Sequence, residues 1–124
     1  MSKILVTGGA GNVGGALARK LVENRNYEVI IADDLSTGSK SKLPSSTYKN
    51  WKFVHCDVNN YKEISELMLV NQFDFVFHYA AVVGVKRTQE NPIAVLNDID
   101  GIRNVLQLSK NSSVKRVFFS SSSE

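Results

Sequence analysis

A chain of 124 residues with 43% hydrophobic and 22% charged side chains supports one globular domain with a hydrophobic core and leaves no room for a second. The net charge of +3 is carried by scattered lysines and arginines, which argues against nucleic acid as a partner, and the single cysteine, Cys56, excludes a disulfide framework and a thiolate metal cluster. Neither a signal-peptide core nor a membrane-spanning run is present, so no membrane partner and a cytoplasmic location are expected.

The first apolar run, Ile4-Leu5-Val6, reads as a strand feeding a turn, Thr7 to Gly15, that holds five of the chain's eight glycines. Glycine in such a turn tolerates positive φ and lets the backbone approach a ligand. The N–H groups opening the next helix then face an anion, and the implied guest is a pyrophosphate. Two registers fit, Gly9-x-Gly11-x-x-Gly14 and Gly8-x-x-Gly11-x-x-Gly14, and the strand before and helix after give either its weight. That helix is predicted from about Asn12 to Arg25, with Val13, Leu17 and Leu21 on its buried face, and with Gly14, Gly15, Ala16 and Ala18 keeping its first turns slim so that it can sit close to the strands. A second apolar run, Tyr27 to Ala32, ends at Asp33, 19 residues beyond Gly14, where a carboxylate accepts hydrogen bonds from an adenosine ribose.

From Leu35 to Asn50 the composition changes to Ser, Thr, Gly, Lys and one Pro, the signature of a long surface loop. Its approach, Asp33 and Asp34 followed by Leu35, Ser36, Thr37 and Gly38, is placed to wrap an adenosine, whereas Ser39 to Asn50 reads as a solvated connection. Two carboxylates repel a 2′-phosphate, so NAD is expected over NADP unless Lys40 and Lys42 fold back to supply a cation.

Trp51 to His55 reads as a third strand ending in Cys56-Asp57-Val58, and the neighbours Phe53 and Val54 predict a buried, inert thiol. Asn60 and Glu63 have capping-box spacing ahead of a helix with Ile64, Leu67 and Met68 as its apolar positions. Phe73 to His78 is a fourth strand, with a loop beginning at Val82. Pro92 opens a helix capped by Asn91, with an apolar stripe of Val95, Ile99, Ile102 and Leu106; Gly101 within it implies close approach of a strand, cofactor or partner helix. Val114 to Ser120 is the fifth strand.

Strands alternating with helices imply an α/β fold over residues 1–124: a doubly wound, Rossmann-like parallel sheet in the order 3-2-1-4-5, stopping after the fifth strand. Gly8 to Gly14, Asp33, Asp57, the loop after His78 and Ser120 to Ser123 all follow strand C-termini, the edge at which open α/β sheets bind ligands. His78 itself reads as a hydrogen-bonded core residue, and Tyr79 as either packing or a cofactor contact.

With these residues assembled, the chain resembles the extended short-chain dehydrogenase/reductase family, in particular its nucleotide-sugar epimerases of the UDP-galactose 4-epimerase type and its dehydratases. Thr7-Gly8-x-x-Gly11-x-x-Gly14 is similar to the family's pyrophosphate turn, which implies contacts from Gly8, Gly11, Asn12, Val13 and Gly14. Asp33 to Gly38 is similar to its D-N-L-S-T-G adenosine clamp, with Asp34 in place of Asn, and Asp57-Val58 to the pair that reads the adenine edge. His78-Tyr79-Ala80-Ala81 resembles the H-x-A-A beneath the ribose and nicotinamide, and Val83 stands where some relatives carry a lysine. Asp98 replaces an amide near the nicotinamide; Gly84 and Arg87 lie in a loop that resembles one beside the sugar nucleotide. Ser120 to Ser123 resembles the start of S-S-S-x-x-V-Y-G, which implies Ser120 against the cofactor, Ser122 as the catalytic hydroxyl and Ser123 near the substrate.

The resemblance implies an NAD-dependent enzyme acting on a UDP-sugar or other nucleotide sugar, by hydride transfer at C4 through a 4-keto intermediate, and a homodimeric parent. The family's Tyr-x-x-x-Lys pair would fall after Glu124, so the chain is expected to be the N-terminal part of a larger enzyme and inactive alone. A dehydratase or decarboxylase on the same scaffold, and a non-catalytic redox-sensing module, are the alternatives.

Overall fold

The computed structural model describes residues 2–35, 39–79, 92–112 and 114–119, with 92–100 and 119 described by backbone alone. In chain order the elements are β1 (Ser2–Thr7), α1 (Asn12–Leu21), β2 (Tyr27–Asp33), a 3-10 turn (Lys40–Lys42), β3 (Trp51–His55), α2 (Tyr61–Asn71), β4 (Phe75–His78), α3 (Pro92–Lys110) and β5 (Arg116–Phe119). The five strands form one parallel sheet in the order β3-β2-β1-β4-β5, as expected.

β1 is the central strand, with Leu5 opposite Ile30 of β2 and Val76 of β4. A strand paired on both edges and covered on both faces has no place for polar residues, so Ile4, Leu5 and Val6 are all buried. The two-residue period still sorts them between layers. Leu5 joins Ile30, Val76 and Phe73 against Ile64 and Met68 of α2 and Val105 and Leu108 of α3. Ile4 and Val6 join Val29 and Ile31 against Ala18 of α1 and Val22 just after it.

Several boundaries and faces differ from expectation. α1 stops at Leu21, where the chain tightens into bonds from Glu23 N to Lys20 O and from Asn24 N to Leu21 O. Val13 is 65% exposed, and the inner face of α1 is Gly14, Gly15 and Ala18 instead. The reason is steric: a Cβ at Gly14 would lie 2.3 Å from the Gly8 carbonyl oxygen, and one at Gly15 would lie 3.3 Å from that of Gly9. A helix pressed this closely onto its own entry turn has no inner position for valine.

α3 shows the same inversion. Ile102 and Leu106 of the expected apolar stripe are 36% and 46% exposed, whereas Gly101, Val105 and Leu108 are buried. Gly101 does mark a close approach, because a Cβ there would lie 2.6 Å from Asn59 Oδ1 and 3.0 Å from Val58 Cγ2. Asn104 Nδ2 donates to Val58 O at 3.0 Å and fastens α3 to the β3–α2 connection.

The segment from Ser39 to Asn50 is more than a solvated connection. Pro44 is buried, Leu43 and Tyr48 pack on the α1-side core, and Asn50 Nδ2 donates to Val22 O at 3.1 Å and Tyr27 O at 2.9 Å. β4 begins at Phe75 and β5 at Arg116, each shorter than predicted. Asp74 ends the run into β4 by accepting from Lys3 N through Oδ2 at 2.8 Å and from Lys115 N through its carbonyl at 2.7 Å. Asn60 caps α2 through Lys62 N and Glu63 N, but Glu63 Oε1 accepts from Asp57 N at 3.2 Å and not from Asn60 N.

Gly14→Ala is expected to lower stability by about 1–3 kcal/mol, the range for overpacking a closed contact. Gly11→Ala should cost less, since a Cβ there would meet one atom, Gly8 O, at 3.2 Å. Denaturant unfolding of the two variants compares them, and equal losses would refute the steric account.

Candidate cofactor-binding site

The register brings the strand ends together: Thr7 is opposite Ala32 and His78, Asp33 opposite His55, and His78 opposite Phe119. The site is built along this edge.

Gly8 adopts φ 70°, in the left-handed region that favours glycine. Its N–H donates to Ala32 O at 2.7 Å, and its carbonyl accepts from Gly11 N at 3.0 Å, so the turn closes on itself. Gly9 has no room for a side chain, because a Cβ would lie 2.4 Å from Ile31 Cγ2. Gly11 stands at the N-cap of α1, which has no side-chain cap and no acidic residue in its first turn. Uncapped N–H groups at the positive end of a helix, beside glycines that admit close approach, fit an anionic group.

Asp33 closes the second wall. It is 7% exposed, and its carboxylate accepts from Ala10 N through Oδ2 at 3.0 Å and from Leu35 N through Oδ1 at 2.7 Å. Asp33 thus ties the glycine turn to the loop after β2, a second role that spacing alone did not show. Leu35 has φ 63°, a conformation costing a branched residue on the order of 1–2 kcal/mol, and the bond to Asp33 helps to hold it. A carboxylate has about four acceptor positions, so two internal bonds leave capacity for a hydroxyl ligand. Asp34 is exposed beside it.

Lys42, on the 3-10 turn, lies against α1. Its Nζ donates to Asn12 Oδ1 at 2.6 Å, its carbonyl accepts from Arg19 Nη1 at 2.5 Å, and the preceding Ser39 N donates to Ala10 O at 2.9 Å. The loop therefore returns to the glycine turn, and Lys42 reaches the first residue of α1. Lysine in a Ser-rich loop was the only sequence signal for this placement.

After β3, Asp57 Oδ1 accepts from Asn59 N at 2.9 Å. Val58 is 3% exposed, and its carbonyl accepts from Asn104 Nδ2. Cys56 is buried, and burial, followed by Glu63, Asp57 and Asp34, pushes its thiol up to about 12. It is a core residue without nucleophilic character.

Tyr79 N donates to both Thr7 O and Thr7 Oγ1 at 3.0 Å, and its side chain packs partly buried on the α1-side core. Ser36, Thr37, Gly38, Ala80, Ala81, Val83, Gly84, Arg87, Ser120, Ser122 and Ser123 lie outside the described residues, as does the side chain of Asp98. Among the described residues no helix is long and apolar enough to cross a membrane, and no group of three His, Cys, Asp or Glu is placed to hold a metal.

A parallel doubly wound sheet with a glycine turn, an uncapped helix start and a buried carboxylate ending the second strand defines a dinucleotide-binding α/β domain. The sequence matches the NAD dependent epimerase/dehydratase family over residues 4–124, and the chain belongs to that family. A putative UDP-glucose 4-epimerase of Methanocaldococcus jannaschii is 36% identical over 121 residues, covering 96% of this chain and 37% of that protein. A UDP-N-acetyl-alpha-D-glucosaminuronate decarboxylase of Bacillus cytotoxicus is 40% identical over 123 residues, covering 98% of this chain and 37% of its own length. Among solved structures, an epimerase of Methanothermobacter thermautotrophicus superposes with a TM-score of 0.88 at 34% identity, covering 98% of this chain and 35% of that one. The UDP-glucose 4-epimerase of Thermus thermophilus, solved in complex with NAD, gives a TM-score of 0.82 at 28% identity, covering 93% and 36%. The chain therefore spans a little over a third of the length of each of these four proteins.

His78 is 2% exposed, with Nδ1 2.8 Å from Thr7 Oγ1, and burial lowers its pKa to about 4. It is neutral at physiological pH and belongs to the frame of the site, in keeping with the sequence reading. The unfolded histidine, titrating near 6.5, binds a proton that the folded one refuses between pH 6.5 and about 4. Stability is therefore full above 6.5 and falls with pH through that window, by roughly 1.4 kcal/mol per unit at most. Unfolding measured from pH 7 to 5 should show this slope in the wild type and a flatter one in His78→Asn; identical slopes would refute it.

Proposed function

We propose that this chain forms the NAD-binding part of a nucleotide-sugar 4-epimerase. The observation that supports the reading is the convergence of an uncapped, glycine-lined helix start with the buried Asp33 carboxylate at one sheet edge, in a chain that belongs to an NAD-dependent family. Asn12, Val13 and Gly14 receive the pyrophosphate through main-chain N–H groups, and Gly8 and Gly11, whose own N–H groups are bonded within the turn, line its approach. Asp33 takes the adenosine ribose, with Asp34 to Gly38 beside it, and Asp57 and Val58 take the adenine edge. Tyr79, Ala80, Ala81, Val83, Asp98 and Ser120 line the nicotinamide end, and Gly84, Arg87 and Ser123 the sugar nucleotide.

Bound there, NAD supplies reversible hydride acceptance. Ser122 donates a hydrogen bond to the sugar oxygen at the reacting carbon and fixes its orientation. The two acidic residues at the adenosine end favour NAD over its 2′-phosphorylated form.

The decarboxylase relative at 40% identity gives a second reading, loss of CO2 from a nucleotide-linked uronate on the same scaffold. The full-length protein, supplied with NAD and separately with UDP-glucose, UDP-N-acetylglucosamine and a UDP-linked uronate, distinguishes them by NMR of the products. Inversion at C4 is the expected outcome, CO2 release favours the second reading, and binding of NAD without turnover would leave a redox-sensing module.

The exposed apolar face of α3 supports a homodimer formed by the same face of a second copy. Ile102 and Leu106 stand on it with Arg103, Gln107 and Lys110 around them. In the full-length protein, sedimentation should show a dimer that Leu106→Glu converts to monomer; a wild-type monomer would refute this assembly.

A further inference from the structure

Lys42 stands out on electrostatic grounds. Its ammonium is 2.6 Å from Asn12 Oδ1, a neutral acceptor on the first residue of α1. Cations are unfavourable near a helix N-terminus, where the dipole presents positive charge. Arg19, whose guanidinium donates to the Lys42 carbonyl, brings a second cation to the same loop. Among the described residues the ion pairs join Lys3 to Glu28 and Lys20 to Glu23, and Lys42 takes part in neither. The acidic pair nearest in sequence, Asp33 and Asp34, lies at the end of β2 and the start of the loop after it, where Asp33 accepts from Ala10 N and Leu35 N.

A cation held at the positive end of a helix by a neutral amide is stabilised once an anion joins it. From this we infer that Lys42 is a positioning residue for the cofactor's pyrophosphate, its ammonium passing from Asn12 Oδ1 to a phosphate oxygen. This adds a residue to the site argued above and rests on that reading. Its structural basis is the return of the loop: Ser39 N to Ala10 O, Arg19 to Lys42 O and Lys42 to Asn12 fasten the 3-10 turn beside the glycines. The steric fit agrees, since a Cβ at Gly15 would lie 3.3 Å from Lys42 Cβ. A 2′-phosphate is the competing target for this cation, and the carboxylates of Asp33 and Asp34 disfavour it.

The test measures equilibrium binding of NAD, NADP and adenosine to the full-length protein over a range of KCl concentrations, with wild type, Lys42→Met, Lys42→Arg and the neighbouring control Lys40→Met. Lys42→Met should weaken NAD about five- to tenfold, as loss of one charge-assisted contact to phosphate implies, and flatten its salt dependence. Adenosine affinity should be unchanged, Lys42→Arg should restore most of the loss, and Lys40→Met should behave as wild type. A thermal melt without nucleotide checks that each variant is folded. Unchanged NAD affinity in folded Lys42→Met overturns the role of Lys42 while leaving the site intact. Loss confined to NADP overturns it in favour of the 2′-phosphate, and failure of the wild type to bind NAD overturns the site itself.

Discussion

Gly14 sits so close to the Gly8 carbonyl that a methyl group cannot be placed between them, and this contact determines where α1 can lie. With α1 against the turn, its first N–H groups open onto the strand-end edge, and Ala18 and Val22 reach Ile4, Val6, Val29 and Ile31 below. The contact thus fixes both the anion-facing end of the helix and the packing of one whole face of the sheet. Stability and binding draw on it together, which is why the turn uses glycine where a better helix former would otherwise be favoured by about 1 kcal/mol. Gly9 extends the constraint sideways, since Ile31 occupies the space its side chain would need.

The fold was legible because its signals are periodic and independent. Five apolar runs, with helical patterns in three of the four intervals between them, pointed to a parallel sheet, and right-handed crossovers left little choice of order. The small residues Gly14, Gly15 and Ala18 were legible as positions of close packing, but which large apolar residues turn inward was not. Val13, Leu17 and Leu21 have proper helical spacing, as do Ile102 and Leu106, but hydrophobicity reports only that a face avoids water. In α1 the inner face is occupied by residues chosen for smallness, and in α3 by a glycine and an asparagine beside Val105 and Leu108. Close backbone approach selects against large apolar side chains, so the most closely packed positions carry the weakest hydrophobic signal.

The site shows a similar division. Its acidic and glycine positions were legible from spacing, because main-chain N–H groups and a carboxylate at a strand end have few other uses in that pattern. The second roles of those residues were not. The bond from Leu35 N to Asp33 is a local turn contact, but the bond from Ala10 N joins segments 23 residues apart, and no local pattern encodes it. Glu63 has capping-box spacing yet serves Asp57 N, six residues back. A pairing such as that of Ala10 with Asp33 appears only once the sheet has set the strand ends side by side.

The polar edge also depends on what lies beneath it. Thr7 is fully buried at the end of β1, next to His78 Nδ1 and the Tyr79 N–H, so the last residues of β1 and β4 are joined by side-chain as well as ladder bonds. On the other side of β1, Asp33 ties β2 to the turn, and Asn104 ties α3 to the end of β3. Each of these polar groups is buried, and a buried donor or acceptor without its partner costs on the order of 1–3 kcal/mol. The edge is therefore held by bonds that are expensive to break, which keeps strand ends aligned where the apolar core thins toward solvent. An extended dinucleotide needs contacts at several strand ends at once, and a frame that resists fraying at each of them makes those contacts available without further ordering.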